Sequence, residues 1–143
     1  MLVVLRSNDS IPEKVSKCPA SSEIRFWPSY TGKVAASVAH DCTIGNNVIL
    51  ANGVQLGGHV QVGDYVVIGG TTPVHQYCKI GEHAMVGGGF RVVKDVPPYI
   101  LVGGEPLKYN GLNSLGLRRR GFKPEIKKIL KETYKYIYNS NMN

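Results

Sequence analysis

A chain of 143 residues, 43% apolar, can close one hydrophobic core, and it holds no run of ~18 or more apolar residues that would span a bilayer as a helix. Its three cysteines, Cys18, Cys42 and Cys78, lack CxxC or CxxH spacing, which argues against a zinc finger and leaves free thiols. The net charge of +7 is uneven: residues 118–143 carry eight Lys/Arg against two acids, residues 38–97 three against four, so the basic character belongs to the C-terminal tail. That tail is either a solvated polar face or an attraction for an anionic partner whose kind charge does not specify.

In chain order, residues 1–37 come first and carry no period. "MLVVLRSNDS" has too few apolar residues before Arg6 for a signal-peptide core, so a cytoplasmic location is expected. "KCPASSEIRFWPSYTGK" mixes Pro, Ser and aromatics without strand or helix pattern, and this segment is left unassigned.

From Val38 the chain divides into hexads: VAHDCT, IGNNVI, LANGVQ, LGGHVQ, VGDYVV, IGGTTP, VHQYCK, IGEHAM, VGGGFR, VVKDVP. Ten consecutive hexads begin with Val, Ile or Leu, the second place is mostly Gly or Ala, and the fifth is small or β-branched apart from Phe90. This periodicity predicts an all-β solenoid, a parallel β-helix over 38–110 with three hexads to a coil, so that residues 18 apart stack. The glycines are expected at corners, where a Cβ opposes the backbone conformation. Cys42 and Cys78, two coils apart with Val60 between, should lie about 9.6 Å from one another and remain reduced.

After Pro97-Pro98 the pattern gives way to a closing coil and a loop, and residues 111–143 read as a helical region. A helix is expected to begin near Pro124, with Ile126, Ile129, Leu130, Thr133, Tyr134, Ile137 and Tyr138 on the face toward the β-helix and the lysines largely off it.

The eighteen-residue coil also sorts the histidines. His40, His59 and His75 fall at phases 4, 5 and 3, with Gln76 at phase 4, so they converge on one edge in successive coils. His83, at phase 11, belongs elsewhere and reads as a surface residue. A neutral imidazole can take a proton from an attacking hydroxyl, and Gly58, stacked on His40, offers a backbone N–H to a developing oxyanion. Consecutive strand side chains point to opposite faces, so Asp41 can orient His40 only if the chain turns a corner between them. A zinc site of three histidines, as in the trimeric β-helix carbonic anhydrases, is the weaker alternative, because those enzymes carry two histidines five apart and here His75 is followed at that distance by Ile80.

Taken together, "VAHDCTIGNNVILANGVQLGGHVQVGDYVVIGGTTPVHQYCKIGEHAMVGGG", "KDVPPY" and "GLRRRGF" closely resemble the UDP-N-acetylglucosamine acyltransferases that begin lipid A synthesis, over residues 38–138. The resemblance implies a left-handed parallel β-helix that trimerises with active sites between subunits. It implies His40 as general base, Asp41 as its assistant and Gly58 as oxyanion donor. His59, His75, Gln76, Arg119 and Arg120 would hold the sugar nucleotide or acyl chain, and Gly88 would limit acyl length. Phe90 and Arg91 stand where the family usually carries small residues. The implied partners are acyl carrier protein, whose acidity suits the basic tail, and UDP-N-acetylglucosamine, with a second copy and a third completing a homotrimer. No cofactor, no metal, no nucleic acid and no stable membrane insertion are expected. Family members have further coils before the AHDC hexad and a histidine where this chain has Ser37; their absence is expected to impair turnover, and the rival expectation is a non-catalytic β-helix fragment or trimerisation module.

Overall fold

The computed structural model describes residues 2–4, 25–26 and 36–139. The hexads form a left-handed parallel β-helix with three walls. Strands β3 (Ala36–Val38), β6 (Val54–Leu56) and β9 (Pro73–Val74) make the first wall; β4 (Thr43–Ile44), β7 (Gln61–Val62) and β10 (Lys79–Ile80) the second; β5 (Ile49–Ala51), β8 (Val67–Ile68) and β11 (Met85–Val86) the third. Pairing is parallel with an eighteen-residue register, Ser37↔Gln55↔Pro73, Thr43↔Gln61↔Lys79 and Ile49↔Val67↔Met85, as the sequence period requires. The tenth hexad departs from it. Val92 still pairs with Val74 at eighteen, but Val96 pairs with Ile80, and Leu101 with Met85, at sixteen. The chain therefore cuts one corner between Val92 and Val96, where Asp95 Oδ1 accepts a hydrogen bond from the Lys79 N–H at 2.8 Å.

The core is built from the first and fifth place of each hexad. Leu50, Leu56, Val62, Ile68, Val74, Ile80 and Val86 come from the first, and Val48, Val54, Val60, Val66, Thr72, Cys78 and Ala84 from the fifth, all buried. Burying each Val, Leu or Ile contributes roughly 1.5–3 kcal/mol. Thr72 is admitted because its hydroxyl donates to the Gly87 carbonyl of the next coil at 3.2 Å. Cys42 and Cys78 are free; burial pushes both thiols up, and their Sγ atoms lie against the carbonyls of Gly57 and Val92. Cys18 lies outside the described residues.

The glycines do a different job from the one expected. Positive φ recurs at the fourth place of the hexads, at Asp41, Asn47, Gly53, His59, Tyr65, Thr71, Tyr77, His83 and Gly89, most of which are not glycine. The second-place glycines are close-approach residues: a Cβ on Gly69 would stand 2.3 Å from Gly88 N, and on Gly63 2.6 Å from Glu82 N. A backbone neighbour in the next coil forbids a side chain there, whatever the φ. The left-handed positions cost roughly 1–3 kcal/mol each where they are not glycine, and the coil ladder offsets this, with His59, Tyr65, Tyr77 and His83 N–H groups donating to the carbonyls of His40, Asn46, Gly58 and Asp64.

Both ends are finished by antiparallel strands, which the period could not reveal. At the start, β1 (Leu2–Val4) pairs with β5 and β2 (Arg25–Phe26) with β3, occupying the free edge of two walls of the first coil. At the far end β12 (Ile100–Gly103) continues the third wall and then pairs antiparallel with β13 (Lys108–Leu112), so part of the expected loop is a hairpin. Next come a short helix α1 (Ser114–Arg119) and α2 (Pro124–Asn139). The start of α2 is as expected, but its buried face is not: Ile126 and Ile129 are 44% and 62% exposed, and Tyr134 is the buried residue. The helix meets the fold through tyrosines, with Tyr138 stacked on Tyr109 at 4.3 Å and the Tyr134 hydroxyl donating to the Pro98 carbonyl at 2.8 Å. Helical spacing determined which residues share a face, not what covers it. Among the described residues no helix is long and apolar enough to cross a membrane.

Candidate active site

The corner between the first and second walls carries the residues singled out by phase. It is turned by His40-Asp41 in the first coil, Gly58-His59 in the second and Gln76-Tyr77 in the third, with His75 just before the turn. Asp41 takes the left-handed conformation, φ +57°, so the chain folds its carboxylate back toward the preceding side chain. His40 Nδ1 and Asp41 Oδ2 are 2.8 Å apart as a result. That bond is the main reason the Asp41 carboxyl sits below its ordinary value; slight burial opposes it, and the fields of His59 and His40 add to it. An ionised carboxylate only accepts, so in the neutral ring Nδ1 carries the proton and Nε2 keeps its lone pair.

Gly58 fits against that ring. A Cβ on it would stand 2.9 Å from both Cε1 and Nε2 of His40, so the imidazole rests on bare backbone one coil along. The His59 N–H donates to the His40 carbonyl at 3.1 Å, and the His59 ring meets that of His40 edge-on at 5.1 Å while its Nε2 lies 3.9 Å from Asp41 Oδ2. His75 and Gln76, in the third coil, are exposed, and His75 Nδ1 donates to the Gln76 carbonyl at 3.1 Å.

The other expected site residues lie elsewhere in the protomer. Arg119 and Arg120, at the end of α1, border a cleft of about 320 Å³ at the second corner, together with Tyr65, His83, Ile49 and Val67. Gly88 turns the third corner beside Gly70, where a Cβ on it would approach the Gly70 carbonyl to 3.1 Å. The Phe90 ring covers the glycines of that end, 3.1 Å from a Cβ placed on Gly87.

Several residues were missed. Tyr77 stacks on His59 with rings 4.8 Å apart and 3° from parallel. His83 is half-buried rather than a surface histidine: it stacks between Tyr65 at 4.9 Å and Tyr99 at 5.6 Å, with Phe122 against its edge, and burial lowers its pKa. Fourth-place residues in adjacent coils are one strand spacing of ~4.8 Å apart, so aromatic rings there stack; the eighteen-residue step from Tyr65 to His83 and from His59 to Tyr77 carried that signal. Arg120 Cζ lies 4.2 Å over the Tyr65 ring, and Asn113 ties α1 to this corner by donating to the His83 carbonyl and accepting from the Gly116 N–H. Ile49, Val67 and Met85, at the sixth place of their hexads, also form an outward apolar ladder on the third wall, which Leu101 continues beyond the repeat.

The hexads that build this β-helix match, over residues 41–72, the model of the bacterial transferase hexapeptide repeat. A model for domain 2 of UDP-N-acetylglucosamine O-acyltransferase matches residues 95–143. A curated acyl-[acyl-carrier-protein]–UDP-N-acetylglucosamine O-acyltransferase of Verminephrobacter eiseniae is 50% identical over 105 residues, 73% of this chain and 40% of that protein. The UDP-N-acetylglucosamine acyltransferase structure from Bacteroides fragilis aligns at 42% identity and a TM-score of 0.74, covering 77% of this chain and 43% of that one. LpxA of Acinetobacter baumannii aligns at 41% and 0.73, with the same coverage. The chain is similar to the C-terminal part of the UDP-N-acetylglucosamine O-acyltransferases. It spans about 40% of the length of the curated relatives it matches.

Proposed function

We propose that this chain serves an O-acyl transfer in which a 3-hydroxyacyl group passes from acyl carrier protein to the glucosamine 3-hydroxyl of UDP-N-acetylglucosamine. The observation that carries this reading is the 2.8 Å bond from His40 Nδ1 to Asp41, which leaves Nε2 as a lone-pair base above the backbone of Gly58. Nε2 takes the hydroxyl proton as the sugar oxygen forms its bond to the thioester carbonyl carbon, and the Gly58 N–H receives the oxyanion. The intermediate collapses by breaking the C–S bond, and the carrier's sulfur leaves with the proton held on His40. Asp41 keeps the ring in the working tautomer and balances the imidazolium.

His59, His75 and Gln76 flank this centre on the same edge and are assigned to substrate. Arg119 and Arg120 supply positive charge for the diphosphate, but they stand at a different corner of their own protomer. A homotrimer that sets the first corner of one subunit against the second corner of its neighbour unites them. The apolar ladder Ile49–Val67–Met85 gives an acyl chain a dry wall, and Gly88, three residues beyond Met85, is assigned to its length limit. The basic residues of α2 suit an acidic carrier protein, and the work is placed in the cytoplasm. The relatives' names state the same donor and acceptor.

The test is an assay with UDP-N-acetylglucosamine and 3-hydroxyacyl carrier protein. Turnover that His40→Ala abolishes supports the proposal. Its absence in a well-folded assembly assigns the chain instead to a non-catalytic β-helix module, consistent with its 40% share of its relatives' length.

A further inference from the structure

We propose that the first corner can instead take up one divalent transition ion of the zinc and cobalt class through His40, Asp41 and His59, the ion replacing the proton on His40 Nδ1 and so competing with the base role on which the proposed function rests. One donor atom from each of the three lies within 4.8 Å of the others. For metal–ligand bonds of ~2.0–2.1 Å the donors of a tetrahedral site stand roughly 3.4 Å apart. The observed separations are 2.8 Å between His40 Nδ1 and Asp41 Oδ2 and 3.9 Å between His59 Nε2 and the same oxygen. One of these edges opens by roughly half an ångström and the other closes by as much, while the third, within 4.8 Å, closes by up to about 1.4 Å. None of the three has core packing to lose, since their side chains are 61%, 53% and 41% exposed.

The donor set chooses the ion. Two imidazoles and a carboxylate are borderline donors that suit zinc, cobalt or nickel, whereas magnesium and calcium seek oxygen alone. Three protein ligands leave the fourth position to water, and one carboxylate leaves the complex with a single positive charge. The site is also held in shape. The His59 ring stacks parallel to Tyr77 at 4.8 Å, and the His59 N–H donates to the His40 carbonyl, which holds the two ligand-bearing backbones one coil apart. This is not the three-histidine arrangement considered from the sequence: His75 is bonded to the Gln76 carbonyl, and the carboxylate takes its place.

The experiment uses the full chain, stripped with a chelator and then titrated with cobalt(II) followed by its visible d–d absorption, and with zinc(II) by calorimetry. One ion per chain is expected. Removing an outer-shell partner costs about 10–100-fold in metal affinity, so His59→Gln and Asp41→Asn should each weaken binding at least tenfold. His83→Gln and the Cys18→Ser, Cys42→Ser and Cys78→Ser variants should bind as the parent does. Circular dichroism of each variant establishes that the coil is intact. No uptake by the parent chain, equal affinity in a folded His59→Gln, or loss of binding in a cysteine variant overturns the assignment.

Discussion

Gly58 and His40 are eighteen residues apart and in contact, and the contact leaves no room for a methyl group. In Gly58→Ala the new Cβ would stand 2.9 Å from the imidazole, so the ring must tilt off its axis while the coil, whose core positions are untouched, persists. Misplacing a reacting group by about 1 Å can cost roughly a hundredfold in rate. If the chain carries out the proposed acyl transfer, its rate should therefore fall by about that factor, with little change in a urea unfolding midpoint. At the second corner, His83 is held below its ordinary pKa of 6.5, first by burial and then by Arg120, against the raising fields of Glu82 and Asp64. The unfolded chain then binds this proton more readily than the folded one, so stability rises with pH through the interval between the folded value and 6.5 and is level above it. Melting temperatures measured across that interval should climb for the parent chain and climb less for His83→Gln.

Among the elements, the walls depend on backbones that approach as closely as sheets allow. Gly69→Ala would drive a Cβ to 2.3 Å from Gly88 N, and the strand must shift because no side chain is there to give way. Denaturant unfolding should show a loss of roughly 1–3 kcal/mol, the usual cost of overpacking. Helix α2 is attached differently, by aromatic contacts and one buried hydroxyl. Tyr134→Phe removes the bond to Pro98 and leaves the ring, so it should cost about 0.5–1.5 kcal/mol in the same measurement, with the β-helix unaltered.

At the scale of the whole molecule, the three corners of one protomer hold different chemistry: the histidine–aspartate pair at the first, the arginines and aromatic stack at the second, Gly88 at the third. If a site needs the first two corners, it needs two chains. Light scattering should report three chains per particle, and mixing His40→Ala subunits with Arg119→Ala subunits should restore part of the activity that each lacks alone. A mixture as inactive as its components would place both sets of residues in one protomer's site and refute the shared arrangement.

By itself, the sequence determined the winding. Ten apolar hexad starts imposed the three walls, the eighteen-residue step put His40, Gly58 and Gln76 in one column, and the small fifth-place residues specified a narrow interior, because stacking a repeat leaves few alternatives. Tertiary structure alone decided the rest. Whether Asp41 faced His40 depended on a left-handed φ that alternation along a strand argues against, and the ladder from the next coil is what holds it. The caps β1 and β2, the two-residue contraction before Val96 and the exposed face of α2 answer to what lies beside them in space, and periodicity carries no record of neighbours distant in the chain.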